Sequence, residues 1–128
     1  MTSHARLFKT RWFARWARKQ SLDDRSFCQA VAELQQGLYE ADLGGGLFKK
    51  RVARPGGGKS GGYRTLIATN QGDRWFFVFA FEKSQRSNIN QRELTALKAL
   101  AQQFLRYSEA ELERLIQLEE LQEIHCDA

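Results

Sequence analysis

Apolar residues in the first third of the chain recur every three or four positions, which is the spacing of amphipathic helices. One helix is predicted to begin after Thr10, and a second to begin at Ser21, with Asp24 three residues on. The apolar side of the first helix consists of Trp12, Phe13, Trp16 and Ala17, and that of the second of Phe27, Ala30, Val31, Leu34 and Leu38. Because few residues separate the two helices, we expect an antiparallel helical hairpin, preceded by a short strand over 6–8.

The middle of the chain is predicted to form strands. All ten glycines and the one proline fall within residues 37–72. Between these breakers lie three β-like segments, 47–54, 62–69 and 74–81. The last of them is apolar at every position from Trp75 to Phe81. It is therefore expected to be a central strand that is covered on both faces.

Helical spacing returns in the last third of the chain. Asn90 with Glu93, and Ser108 with Glu111, have the spacing of capping residues at helix starts. A short final strand is predicted over 121–126. The order of a helix pair, antiparallel strands and a second helix pair predicts one α+β domain over residues 1–128.

Composition narrows the class of protein. The hydrophobic content of 42% is that of an ordinary globular chain, and no apolar run suits a membrane span or a secretory signal. Cys28 and Cys126 lie far apart without a CxxC motif, so we expect free thiols and a cytoplasmic location. With two histidines near the termini, His4 and His125, no metal site is expected.

Charge is distributed unevenly along the chain. Residues 1–64 carry thirteen basic and five acidic side chains, whereas residues 91–128 carry four and eight. The segment 47–64 contains no acid, and its basic residues are Lys49, Lys50, Arg51, Arg54, Lys59 and Arg64. Such a cluster favours a polyanionic partner, although charge runs also serve simply as solvated surface.

The glycine-rich segment 53–60 is similar to a phosphate-binding P-loop but lacks its context. Ala53 replaces the first glycine of the GxxxxGK[ST] pattern, and a predicted strand follows Ser60 where a P-loop has a helix. We therefore expect no nucleotide cofactor. The segment is interpreted either as a plain connection or as a flap that carries Lys59 over a phosphate backbone.

Alternation along the predicted strands places basic residues on one face. Phe48 and Val52 suit the core, so Lys49 and Arg51 should project from the opposite, open face. The cations expected to converge there are Lys49, Arg51, Arg64, Lys83 and Arg86. They can support RNA cleavage by the ribose 2′-OH without a metal, with a lysine as proton acceptor and arginines stabilising the phosphorane. The same face can also bind nucleic acid without cutting it.

The segment from Gly45 to Leu66 includes K-K-R-V-A-R-P-G-G-G-K-S-G-G-Y-R-T. It resembles the RelE-type toxins of bacterial type II toxin–antitoxin modules, in the subfamily with K-x-R-x-A-R-P-G-x-G-K-S-G-G-x-R-T. Residues 79–84 and 88–89 resemble the next block of that subfamily. The resemblance covers about residues 6–125. It implies a RelE/ParE-like fold, in which an N-terminal helical hairpin packs on a curved antiparallel sheet of three to four strands, followed by C-terminal helices.

The resemblance also implies a function. Members of this family cleave mRNA without a metal, typically in the ribosome, and are neutralised by a cognate antitoxin. The expected catalytic residues are Lys49, Arg51, Arg64 and Lys83, with Arg64 on the scissile phosphate. The expected nucleic-acid contacts are Lys50, Arg54, Lys59 and Arg86. Well-known ribonuclease members have a tyrosine near the position of Asn90, and some relatives poison DNA gyrase. A gyrase toxin and a non-catalytic nucleic-acid-binding module are therefore the alternatives.

Overall fold

The computed structural model describes residues 5–56 and 61–126, which form six strands and four helices. The strands are β1 (Arg6–Thr10), β2 (Ala41–Gly44), β3 (Leu47–Val52), β4 (Tyr63–Thr69), β5 (Arg74–Glu82) and β6 (Leu121–Ile124). The helices are α1 (Arg11–Lys19), α2 (Asp24–Gln35), α3 (Gln91–Arg106) and α4 (Glu109–Gln117). In the described part of the chain, no helix has the length and apolar content needed to cross a membrane.

The strands form one sheet in the order β2-β3-β4-β5-β1-β6. Its neighbouring strands are antiparallel except for β1 and β5, which run parallel. The α+β class and the order of its helices are thus confirmed. The sheet has six strands rather than the three to four that the resemblance implied: the strands predicted near the two termini join it as β1 and β6, and β2 was not predicted. The sheet is mixed because β1 runs parallel to β5.

Helices cover both faces of this sheet. Trp75 and Phe77 of β5 pack in a core with α1 and α2, whereas Phe76 and Phe81 pack in a second core with α3 and α4. Each face of β5 is therefore removed from water by a different helix pair. This double cover explains why the strand is apolar at every position from Trp75 to Phe81.

The predicted helix starts agree with the structure at three of the four helices. The Thr10 hydroxyl accepts a hydrogen bond from the Phe13 N–H, and Asn90 and Ser108 each form a complete capping box. The second helix differs, since its cap is Asp23 and Ser21 lies in the preceding turn with φ of 58°.

Two apolar residues that were expected on buried helix faces are exposed. The helix α2 ends at Gln35, so Leu38 lies beyond it and is 54% exposed. Trp12 is 45% exposed and stacks on Phe79 with ring centroids 4.7 Å apart. Trp12 lies in α1 as the helical spacing predicts, but the expectation that its side chain is buried is wrong.

The prediction of free cysteines is wrong for this structure. The strand β6 lies beside β1 at the sheet edge and brings the end of the chain next to α2. Cys126 and Cys28 are joined there by a disulfide, with 5.8 Å between their Cα atoms, although 98 positions separate them in sequence. Distance along the chain gave no indication of this proximity.

Candidate phosphodiester site

Three basic side chains lie together on one face of the sheet. Arg51 of β3 is directly opposite Arg64 of β4, and Lys49 lies two residues before Arg51. Leu47 and Leu66 continue the same alternation and belong to the core beneath α3. The open end of the α3 face therefore carries Lys49, Arg51 and Arg64, and we call these three residues the cation cluster.

An acidic residue, Glu40, completes the cluster. Its Oε1 lies 2.5 Å from Arg64 Nε, and its Oε2 lies 4.0 Å from Lys49 Nζ. The Glu40 N–H donates a hydrogen bond of 2.8 Å to the Lys49 carbonyl, which fixes Glu40 beside β3. The sequence analysis missed this residue. The one sequence feature that could have indicated Glu40 is its position shortly before the basic segment 47–64, which contains no acid.

Two buried nitrogens of the cluster have no hydrogen-bond acceptor among the described residues, namely Arg51 Nη2 and Arg64 Nε. The contact of Arg64 Nε with Glu40 is an ion pair that lacks hydrogen-bond alignment, and Arg64 Nη1 donates to the Gly61 carbonyl at 3.1 Å. Burying a guanidinium N–H without an acceptor costs free energy. The cluster therefore suits an anion whose oxygens accept hydrogen bonds, as phosphate does.

The loop after β5 forms a second side of the site. Asn88 Oδ1 accepts a hydrogen bond of 3.3 Å from Lys49 Nζ. Arg86 lies over the Phe81 ring, 5.6 Å from its centroid, and its guanidinium makes two hydrogen bonds to Glu93 of α3. This pairing raises the pKa of Arg86 and lowers that of Glu93. Arg86 thus anchors the loop to α3 at the margin of the cluster.

Lys83 is placed at the start of the same loop. Its Nζ donates to the Ser87 carbonyl at 3.2 Å, and its backbone N–H donates to the Gly62 carbonyl at 3.2 Å. Lys83 lies in the turn just beyond Glu82, the last residue of β5, so strand alternation does not place its side chain on either face of the sheet. Its side chain is directed along the loop.

Lys50 and Arg54 lie on the α2 side of the sheet instead. Lys50 is 7% exposed, and its Nζ lies 2.7 Å from Glu33 Oε1 on α2. Arg54 pairs with Glu82 at 2.5 Å and lies over the Tyr63 ring. Of the residues expected to contact nucleic acid, these two thus project from the face opposite the cluster, although Lys50 lines the same cavity as Arg51 and Arg64. Lys59 lies outside the described residues.

Comparison with known proteins identifies the family. The family model described as "RelE toxin of RelE / RelB toxin-antitoxin system" matches residues 5–124. The chain belongs to the RelE toxin family. A search of curated protein sequences found no match. The RelE match confirms the resemblance read from the central motif, and it makes the protein the toxin of a toxin–antitoxin module with a cognate antitoxin as its partner.

In this RelE toxin, a cavity of about 510 Å³ opens beside the cluster. Glu40, Arg51 and Arg64 belong to its lining, which continues to α2 along β3. Among the described residues, no group of three His, Cys, Asp or Glu side chains is placed to hold a metal ion. The cluster and Glu40 together offer two guanidinium groups, one ammonium group and one carboxylate for chemistry.

Proposed function

We propose that this toxin is an endoribonuclease that cleaves mRNA by attack of a ribose 2′-OH on the adjacent phosphate. The observation that carries the proposal is the pair of opposed arginines, Arg51 and Arg64, in which Arg51 Nη2 is buried without an acceptor among the described residues and Arg64 Nε contacts Glu40. Guanidinium groups stay charged and bind phosphate oxygens in a fixed geometry. The pair therefore supports binding of the scissile phosphate.

The reaction requires a proton acceptor, positive charge for the phosphorane and a proton donor for the leaving oxygen. A carboxylate accepts protons and an arginine does not, so we assign the first role to Glu40, in place of the lysine expected from sequence. Arg51 and Arg64 neutralise the phosphorane. Lys49, within 4.0 Å of Glu40, donates a proton to the leaving oxygen.

The bond changes balance without another reactant. The 2′-oxygen forms a bond to phosphorus as its proton passes to Glu40, and the bond from phosphorus to the 5′-oxygen breaks as that oxygen takes a proton from Lys49. The products are a 2′,3′-cyclic phosphate and a 5′-hydroxyl end. Lys83 and Arg86, at the margin of the cluster, are proposed to contact flanking phosphates.

The target that fits these roles is mRNA in the ribosome, and the compartment is then the cytoplasm. Support comes from membership of the RelE family and from the basic first half of the chain. Disulfides are normally reduced in the cytoplasm. In that compartment, the disulfide between Cys28 and Cys126 would be exposed to reducing conditions.

The test is expression of the toxin followed by primer extension on cellular mRNA. The wild-type chain should produce discrete cuts, and Arg64→Ala should abolish them. Arg54→Ala is the matched control, because this arginine is also ion-paired but lies on the other face. Full cutting by a folded Arg64→Ala variant would remove the site assignment. Wild-type toxicity with DNA damage and no RNA cuts would instead favour a gyrase target.

A further inference from the structure

The cavity beside the cluster has the size of a small-molecule or nucleotide site. Its volume of about 510 Å³ lies within the roughly 300–1,000 Å³ that is usual for ligand pockets. Arg51 and Arg64 of the cluster line the cavity, and so does Glu40, which pairs with Arg64. A group in the cavity would therefore be adjacent to a phosphate on the arginines.

An aromatic side chain lies at the rim. Tyr39 is 39% exposed, and it contacts the Phe48 ring edge to face at a centroid distance of 5.0 Å. Leu38, beside it, is 54% exposed. Exposed aromatic rings next to phosphate-binding cations are the usual platform on which proteins stack unpaired bases.

The α2 wall of the cavity is polar and acidic. Glu33 accepts hydrogen bonds from Lys50 and from Gln29, and these contacts hold the pKa of its carboxyl below the ordinary value. An ionised carboxylate has about four lone-pair directions, so acceptor capacity remains for a further donor. Guanine, adenine and cytosine each carry an exocyclic amino group that can serve as this donor. Uracil has no exocyclic amino group.

We infer that this cavity binds a nucleobase bordering the scissile phosphate, stacked on Tyr39 and donating an amino group to Glu33. The inference rests on the proposed function, because the arginines place the phosphate. An acidic antitoxin segment fits less well, because two of the three cations that line the cavity, Lys50 and Arg64, already pair with Glu33 and Glu40.

The test measures cleavage of three ribosome-bound mRNA substrates. One is intact, one has an abasic residue immediately before the cut, and one has an abasic residue immediately after it. Tyr39→Ala should slow cleavage of the intact substrate roughly 5- to 150-fold, the equivalent of one stacked base. Wild type should cleave one of the two abasic substrates more slowly than the intact substrate, by a similar factor. Tyr39→Ala should cleave that abasic substrate as fast as it cleaves the intact one. Tyr39→Phe should restore most of the rate that Tyr39→Ala loses, because it keeps the aromatic ring. Leu118→Ala, at another exposed apolar residue, is the control.

A second measurement compares uridine with cytidine at the position that the abasic substrates identify. Wild type should cleave the cytidine substrate faster, and Glu33→Gln should reduce that preference. The inference would be overturned if Tyr39→Ala slowed cleavage of all substrates equally, or of none. Cleavage by wild type would still uphold the proposed function. Loss of antitoxin inhibition with unchanged cleavage would show that the cavity serves the protein partner. No cleavage by wild type would refute both.

Discussion

The disulfide between Cys28 and Cys126 should contribute much of the stability of the oxidised protein. It joins α2 to the end of the chain across 98 positions, so it closes a loop of nearly the whole domain. A cross-link lowers the entropy of the unfolded chain, and a loop of about 100 residues gives roughly 4.7 kcal/mol at 25 °C. This is a large fraction of the roughly 5–15 kcal/mol by which domains are stable.

The expected change in melting temperature follows from the chain length of 128 residues. Unfolding entropy of about 2.1 cal/mol/K per residue gives roughly 0.27 kcal/mol/K for this chain, so reduction should lower Tm by about 17 °C. Thermal unfolding followed by circular dichroism, with and without a reductant, measures the shift. The Cys28→Ala/Cys126→Ala variant should melt near the reduced wild type and should not respond to reductant.

Two results would contradict this reasoning. Thiol titration before melting establishes that the pair is oxidised in one sample and reduced in the other. If the two samples then melt at the same temperature, the cross-link does not constrain the unfolded chain. If titration finds two free thiols in the air-oxidised protein, β6 does not hold Cys126 beside α2.

Three further predictions address the site and its charges. Glu40→Gln should reduce cleavage by about 10²- to 10⁴-fold, as expected for loss of a general base, while the melting temperature stays near that of wild type; cleavage at the wild-type rate would exclude Glu40 as the proton acceptor. The free energy of unfolding should fall as pH drops below about 4.5, because Lys50 lowers the pKa of Glu33 and Arg6 lowers that of Glu123 in the folded state; urea unfolding from pH 7 to 3 measures the loss, and a flat profile would contradict it. RNA binding should weaken steeply between about 50 and 200 mM salt, since phosphate contacts release counterions; affinity measured across that range tests this, and a flat response would indicate a target recognised by shape.

Features that depend on neighbouring residues were predictable from sequence. The capping boxes at Asn90 and Ser108 involve residues three positions apart, and both were identified correctly. The shared face of Lys49 and Arg51 follows from strand alternation alone, and the register with Arg64 agrees with it. In each case the interaction that decides the structure lies within one element or between adjacent strands.

Features that depend on distant parts of the chain were not predictable. The parallel pairing of β1 with β5 and the disulfide both bring residues together across much of the chain. The role of Glu40 depends on the pairing of β2 with β3, and the predicted strands did not include β2. The cations were predictable because many of them occur in one short segment of the sequence. Glu40 was not, because it lies outside the predicted strands and belongs to no repeating pattern.

Under the proposed function, the sheet register would link recognition of the RNA to its cleavage. Glu40 is held by its backbone hydrogen bond to Lys49 and ion-paired to Arg64, while the residue before it, Tyr39, stands at the rim of the cavity. A base that stacks on Tyr39 would therefore contact the residue next to Glu40, the proposed proton acceptor. Binding energy from such a contact is available to align the 2′-OH with Glu40 as well as to hold the RNA. Substrates that leave the cavity empty should then lose catalytic rate at saturation, and not only affinity.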